Sequence, residues 1–131
     1  MELNELKEGN VIKVCPRPGQ EGILFVTDIQ ASSFLCQMIS PRRGYQFRIK
    51  LEEMHAVSLT EDWLVVAGFS PGEEENEWTD DEEKIKLSVA PDAIRMSFPQ
   101  EKPLQFVHEL QNEYLRLTGT TLVIQSDISY L

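Results

Sequence analysis

One helical pattern near the end of the chain constrains the fold more than any other segment. Residues 106–119 repeat apolar side chains at spacings of three and four, which places them on one face of a helix. That face consists of Phe106, Val107, Leu110, Tyr114 and Leu117, and the polar face consists of Glu109, Asn112, Glu113 and Arg116. Gly119 is a typical helix stop, because glycine readily adopts the left-handed conformation. An amphipathic helix must bury its apolar face, so we expect a core packed against it.

The first half of the chain has the pattern of short strands joined by tight turns. Apolar stretches lie at residues 11–15, 22–29, 33–39 and 45–49. Pro18 and Gly19 occupy the two central positions of a predicted type II turn, which requires a positive φ at its third residue. Short strands at this spacing favour a small antiparallel barrel or curled sheet, and we expect an SH3-like barrel.

The second half mixes helices and strands, which predicts an α+β fold. Thr60 is a suitable N-cap for a short helix, and Gly68 is a suitable stop. Residues 84–89 and 94–98 alternate apolar and polar side chains as the two strands of a β-hairpin. Pro103 stands where a further helix could start, and residues 121–124 could form a final strand. We expect a barrel-like unit over residues 1–58 and an α+β unit over residues 59–131, with one shared core.

Two of these segments resemble a known group of sequences. Residues 59–64, closed by residues 68–69, resemble an "LTEEWL…GF" block, and residues 107–119 resemble a "VHxLQNLYxxLTG" block. Both blocks occur in this order in a family of short uncharacterised proteins of Bacteroidales, often encoded in prophage or mobile-element neighbourhoods. The chain departs from the pattern at Ser58 and Ala67, where that family often has proline and phenylalanine. The resemblance implies a small domain with two helices, and it implies no activity and no catalytic residues.

Negative charge is concentrated in one segment. The formal net charge is −10, and residues 73–83 hold eight acidic side chains and no basic one. Like charges this close repel one another and favour an extended, solvated loop. The segment could bind a basic protein partner. Its candidate partner-binding residues are Glu73, Glu74, Glu75, Glu77, Trp78, Asp80 and Asp81.

Positive charge is concentrated beside two aromatic residues in the first half. Residues 42–50 hold four Lys or Arg side chains together with Tyr45 and Phe47. Basic and aromatic residues at the rim of a small barrel are typical of single-stranded nucleic-acid binding. The candidate residues for this alternative are Arg42, Arg43, Tyr45 and Arg48. The competing interpretation is a turn with solvated arginines and two inward-facing rings, and the overall acidity makes nucleic acid an unfavourable partner.

The polar residues of the last helix are a third candidate site. His108, Gln111 and Asn112 flank the apolar stripe, where they could form a recognition patch. The alternative is that His108 and Gln111 satisfy backbone groups at the edge of the core. His55 is interpreted as an exposed residue at a strand edge.

The remaining patterns bear on cofactors and compartment. The spacings typical of zinc and calcium sites are missing from the sequence, as is a Gly-rich phosphate loop, so we expect no metal and no cofactor. No run approaches the roughly 18 apolar residues that cross a bilayer, and the first residues lack an apolar leader. We therefore expect no membrane association and a cytoplasmic protein, in which Cys15 and Cys36 are reduced.

These observations lead to one hypothesis and one alternative. The leading hypothesis is a small non-enzymatic interaction module that binds a protein partner through the acidic segment and an exposed sheet edge. The alternative is a single-stranded nucleic-acid accessory protein that uses the basic and aromatic residues 42–50. A homo-oligomer is compatible with either one.

Overall fold

The computed structural model describes residues 6–30, 33–40 and 44–124 of the chain. The protein consists of two compact units, residues 1–57 and residues 58–131. Antiparallel sheets dominate both units, and one long helix is added in the second, so the predicted α+β class is confirmed.

The first unit is a five-stranded antiparallel sheet. Its strands are β1 (Val11–Arg17), β2 (Gln20–Ile29), β3 (Phe34–Ser40), β4 (Gln46–Ile49) and β5 (His55–Ala56). Their order across the sheet is β4-β3-β2-β1-β5, and a 3₁₀ turn at Leu51–Glu53 connects β4 to β5. Among the described residues no ladder joins β4 to β5, so the sheet is not a closed barrel.

The turn between β1 and β2 has the predicted geometry. Arg17 pairs with Gln20, and Gly19 between them has a φ of 80°. A side chain at this position would strain the backbone, since L-residues rarely adopt positive φ. The turn therefore sets the register of the first hairpin.

Alternation along the strands builds the core of the first unit. On β2, Leu24 and Val26 are buried, and Phe34 and Cys36 on β3 lie against them in one cluster. Burial raises the pKa of the Cys36 thiol to about 11, so this thiol stays protonated at neutral pH. Cys36 therefore acts as a small apolar side chain.

The second unit combines two helices with another five-stranded antiparallel sheet. Its elements are α1 (Glu61–Val66), β6 (Ser70–Pro71), β7 (Glu77–Thr79), β8 (Lys86–Val89), β9 (Ile94–Phe98), β10 (Lys102–Leu104) and α2 (Val107–Thr118). The strand order is β10-β9-β8-β7-β6. The predicted hairpin is confirmed as β8 and β9, with Leu87 opposite Met96 and both side chains buried.

Three local expectations in this unit are wrong. The acidic segment is not one loop, because β7 runs through it and pairs Trp78 with Leu87. Pro103 lies inside β10, an edge strand where a missing N–H breaks no ladder bond, rather than at a helix start. Residues 121–124 form no strand, although Leu122 is buried.

Helix α1 ends as its sequence predicts. Gly68 has a φ of 88°, and the Phe69 N–H donates to the Leu64 carbonyl at 2.9 Å. The Gly68 N–H donates to the Val65 carbonyl at 3.1 Å, which completes a Schellman motif. The Phe69 ring then meets Tyr114 of α2 edge to face, with ring centroids 6.4 Å apart.

Helix α2 buries more of its surface than its periodicity predicts. Val107 and Leu110 are buried as expected, and Gly119 ends the helix with a φ of 72°. Glu113, assigned to the polar face, is also buried. Its carboxylate accepts hydrogen bonds from Lys102 of β10 at 2.6 Å and from Arg116 at 2.7 Å. A tertiary ion pair therefore compensates a buried charge that the sequence pattern places in water.

The Glu113 ion pairs predict a dependence of stability on pH. Burial raises the pKa of Glu113, but hydrogen bonds from Arg116 and Lys102 outweigh it and hold the pKa below its ordinary value. The unfolded chain then binds this proton at a higher pH than the folded chain. Glu113 therefore makes its full contribution to the free energy of unfolding above the unfolded-state pKa of about 4.3. This contribution is lost as the pH falls through the lower folded-state pKa.

The measurement is urea denaturation of wild type and Glu113→Gln between pH 7 and pH 3. We expect the substitution to lower the free energy of unfolding at pH 7 by roughly 1–2 kcal/mol and to flatten the acid limb. Glu101→Gln removes an exposed partner of Arg95 and is the control, with an expected change within about 0.5 kcal/mol. Equal acid limbs in wild type and Glu113→Gln would contradict the assignment.

Candidate functional site

The most distinctive surface of the first unit is the edge strand β4. Phe47 on this strand and Tyr45 immediately before it point to one face, with ring centroids 6.5 Å apart. Tyr45 is 53% exposed and Phe47 is 41% exposed. Phe47 pairs with Cys36, and Ile49 pairs with Phe34, so the two rings extend the core face of the sheet beyond the core itself. Both rings point to the face of the sheet that carries the core, as alternation predicts. They remain exposed because β4 is the edge strand. Adjacent exposed rings on a small domain are typical of a binding surface.

The backbone of β4 adds an unpaired edge to these rings. The Met38 N–H donates to the Tyr45 carbonyl at 2.7 Å, so this carbonyl points toward β3. Because successive residues of a strand point their N–H and C=O groups to alternate sides, Gln46 and Arg48 present theirs to the open edge. A partner strand could therefore pair with the backbone of Gln46 and Arg48.

The predicted basic and aromatic cluster is brought together only in part. Tyr45 and Phe47 share a face, whereas the Arg48 side chain lies on the opposite face and donates a hydrogen bond to Gln30 at 3.0 Å. Arg42 and Arg43 lie outside the described residues. The described part of the chain thus has an aromatic pair on β4 without a guanidinium beside it.

The other sheet edges are less suited to pairing. In the second unit, Pro71 lies in the edge strand β6 and Pro103 in the edge strand β10, where each removes a donor. In the first unit β5 is two residues long, and His55 is exposed on it as predicted. Among the described edges, β4 combines the greatest length with a complete set of backbone donors.

The acidic segment divides into buried and exposed parts. Glu73, Glu74 and Glu75 are exposed before β7, and Asp81, Glu82 and Glu83 are exposed after it. Glu77 and Trp78 are half-buried within β7, where the Glu77 carboxylate lies 3.9 Å from the Lys86 ammonium. The three-residue strand β7, about 10 Å long, lies between the two exposed groups. The segment therefore presents two acidic corners, residues 73–75 and residues 81–83.

Asp80 has a structural place inside this segment. It is 6% exposed, and its carboxylate accepts hydrogen bonds from the Ile85 N–H at 3.1 Å and from the Tyr114 hydroxyl at 3.2 Å. Burial and the adjacent Asp80 carboxylate raise the pKa of Tyr114, so its hydroxyl stays protonated and donates. Asp80 therefore joins the turn before β8 to helix α2 and is not available to a partner.

The polar residues of α2 lie within the fold. His108 is 1% exposed, and its ring stacks on Phe106 with centroids 5.8 Å apart. Gln111 is buried and Asn112 is half-buried. A ligand could not reach His108 without opening the core, so the geometry favours a structural role for it.

Two features of the surface were missed by reasoning from the sequence. The sequence pattern singles out Tyr45 and the arginines as candidates, whereas the structure shows that Phe47 is exposed beside Tyr45. The backbone of Gln46 has no signature in the sequence, because it depends on which strand lies at the edge. Pro71 and Pro103 are a sequence signal that the strands of the second unit containing them are protected edges, which leaves the first unit as the place for an open edge.

Comparisons with known proteins find no relative. No protein-family model matches the chain, and neither a curated protein nor a solved structure matches it. The resemblance to the Bacteroidales family therefore stays a prediction.

Two further properties concern the described residues. No helix within residues 6–30, 33–40 and 44–124 is long and apolar enough to cross a membrane. In the same ranges, no three His, Cys, Asp or Glu side chains come together in the arrangement of a metal site.

The buried and the exposed carboxylates of the acidic segment predict effects of different size on stability. Asp80→Ala leaves the Ile85 N–H and the Tyr114 hydroxyl without their acceptor, which should lower the free energy of unfolding by roughly 1–3 kcal/mol. Asp81→Ala is the matched control, because Asp81 is exposed, and we expect a change within about 0.5 kcal/mol. Urea denaturation at pH 7 measures both, and equal effects would contradict the structural role of Asp80.

Proposed function

We propose that this protein is a small non-enzymatic interaction module that binds an extended segment of a protein partner along β4. The observation that carries the proposal is the open edge of β4, with backbone groups of Gln46 and Arg48 facing outward beside the exposed rings of Tyr45 and Phe47. Addition of a strand supplies main-chain hydrogen bonds, and the exposed rings supply an apolar surface for alternate side chains of the partner.

A protein partner fits this edge better than single-stranded nucleic acid. Nucleic acid needs cations beside the stacking rings to neutralise its phosphates. The described guanidinium of Arg48 lies on the face away from Tyr45 and Phe47. A protein segment needs only the unpaired backbone and the apolar rings, and β4 has both. Nucleic-acid binding is retained as the alternative, because two adjacent exposed rings are also a stacking platform.

The acidic corners contribute charge to the same function. Six exposed carboxylates in residues 73–75 and 81–83 attract basic side chains, and within the described residues the one cation paired with them is Lys84, bonded to Glu82. Exposed charges of this kind raise association rates more than affinity. The proposed partner is therefore a protein with a basic surface and an extended segment.

Two finer features belong to the same proposal. In the first unit, β5 returns to pair with β1. A curled, SH3-like sheet requires this pairing, so the pairing supports that architecture. Cys15 and Cys36 are both free thiols, which suits a reducing, cytoplasmic compartment.

Binding at the edge of β4 can be tested by blocking one backbone donor. Peptides selected from a random display library on the full chain serve as probes, and fluorescence polarisation gives their Kd. Gln46→Pro removes the outward N–H but no bond to β3, so we expect affinity to fall by roughly tenfold or more. Gln46→Ala is the matched control, with affinity within about twofold of wild type.

Other outcomes separate the alternatives. Equal affinity for Gln46→Pro and wild type, in peptides whose binding is lost in Tyr45→Ala/Phe47→Ala, would contradict strand addition. A salt-sensitive shift of a single-stranded oligonucleotide, lost in Tyr45→Ala/Phe47→Ala but kept in Gln46→Pro, would favour the nucleic-acid alternative. A dimer in size-exclusion chromatography that Gln46→Pro dissociates would identify a second copy of the chain as the occupant.

The acidic corners can be tested by neutralisation rather than deletion, since deleting residues 73–83 would remove β7 and Asp80. We expect Glu73→Gln/Glu74→Gln/Glu75→Gln to slow association of selected basic peptides at low salt and to reduce the salt dependence of the rate. Glu8→Gln/Glu52→Gln/Glu101→Gln removes the same charge from scattered exposed positions and is the control. Equal slowing in both variants would assign the effect to net charge alone.

A further inference from the structure

The second unit contains a groove that the β4 edge does not involve. The groove lies between the start of α1, the turn connecting β8 to β9, and the strand β10, and its volume is about 630 Å³. The Leu59 N–H donates to the Gln105 carbonyl at 3.0 Å, which holds the wall before α1 against the wall after β10. The Ala90 N–H donates to the Ala93 carbonyl at 2.8 Å and closes the turn that forms the third wall. The groove is therefore built from bonded segments of one unit.

The groove has an apolar floor. Leu59, Val89, Ile94 and Leu104 line it, and each belongs to the buried core of the second unit. Ala90 and Ala93 stand at the surface above them and are exposed. Only 3–9% of the surface of the four floor residues is exposed, so the exposed methyl groups of Ala90 and Ala93 add to the apolar surface that one aliphatic side chain of a partner could contact.

The charge around the floor has a single sign. Glu61, Asp92 and Glu109 line the groove, and no Lys, Arg or His among the described residues lines it. Glu109 accepts hydrogen bonds from the Gln105 and Phe106 N–H groups, both at 2.9 Å, so it has a structural part as well. Glu61 and Asp92 form no ion pair with any described residue. In the part of the chain that the structure describes, no cation therefore pairs with these two charges at the mouth of the groove.

We propose that this groove binds a short basic peptide segment, with an aliphatic side chain on the apolar floor and Lys or Arg side chains beside Glu61 and Asp92. Apolar contact supplies affinity, and the carboxylates select against acidic segments. A groove of this size is within the range of ligand sites. Because the groove is open to solvent, it could accept one side chain of a peptide together with the residues that flank this side chain. This site is independent of β4, and either can exist without the other.

The probe is a fluorescein-labelled peptide of sequence Lys-Ile-Lys-Val-Lys, with Glu-Ile-Glu-Val-Glu as the reference peptide. We expect saturable binding of the basic peptide to the full chain at low salt, and none of the acidic peptide. Glu61→Lys/Asp92→Lys should weaken binding by roughly tenfold or more, since it reverses both free charges. Glu8→Lys/Glu52→Lys produces the same change in net charge at exposed positions of the first unit, and we expect an affinity within about twofold of wild type.

A second variant tests the floor without changing charge. Ala93→Trp places an indole over the apolar side chains and should also abolish binding, with Ala93→Ser as its control. Gln46→Pro should leave the Lys-Ile-Lys-Val-Lys affinity unchanged, which separates this groove from the proposed function of β4. The inference is overturned by the absence of saturable binding to wild type, or by equal weakening in Glu61→Lys/Asp92→Lys and Glu8→Lys/Glu52→Lys.

Discussion

The second unit depends on one buried carboxylate within its most charged segment. Asp80 accepts hydrogen bonds from the Ile85 N–H and the Tyr114 hydroxyl, so it connects the turn before β8 to helix α2. An acidic run would otherwise repel itself and stay in water. Asp80 is instead buried, and its carboxylate accepts hydrogen bonds from two neutral donors. The strand β7 pairs within the sheet, and both ends of the acidic segment remain exposed. The division into structural and free charges follows from this contact.

The surfaces available for binding follow from where the sheets end. Pro71 and Pro103 remove donors from both edges of the second sheet, which discourages pairing with another chain. The first sheet ends at β4 without such protection, and Tyr45 and Phe47 extend its core face into solvent. An unprotected edge beside exposed rings is a liability unless it is used, which is why β4 carries the proposed function.

Local patterns predict much of the fold and less of its surface. The left-handed stops at Gly68 and Gly119 are confirmed, because helix termination depends on a few neighbouring residues. β10 was missed because Pro103 fits either a helix start or an edge strand, and only the pairing with β9 decides between them. Glu113 was assigned to water because periodicity cannot anticipate Lys102 on a neighbouring strand. The sequence allows His108 to be either a recognition residue or a structural one, and its burial favours the structural role.

Composition and periodicity alone determine that this protein is an α+β protein with an acidic segment, a β-hairpin and an amphipathic helix. These properties depend on residues close together in the chain, where spacing decides which side chains share a face. The tertiary structure decides which strand becomes an open edge, which carboxylates are buried, and which apolar side chains floor a groove. Each of these depends on contacts between residues far apart in the sequence, such as Asp80 with Tyr114, and such contacts leave no local pattern.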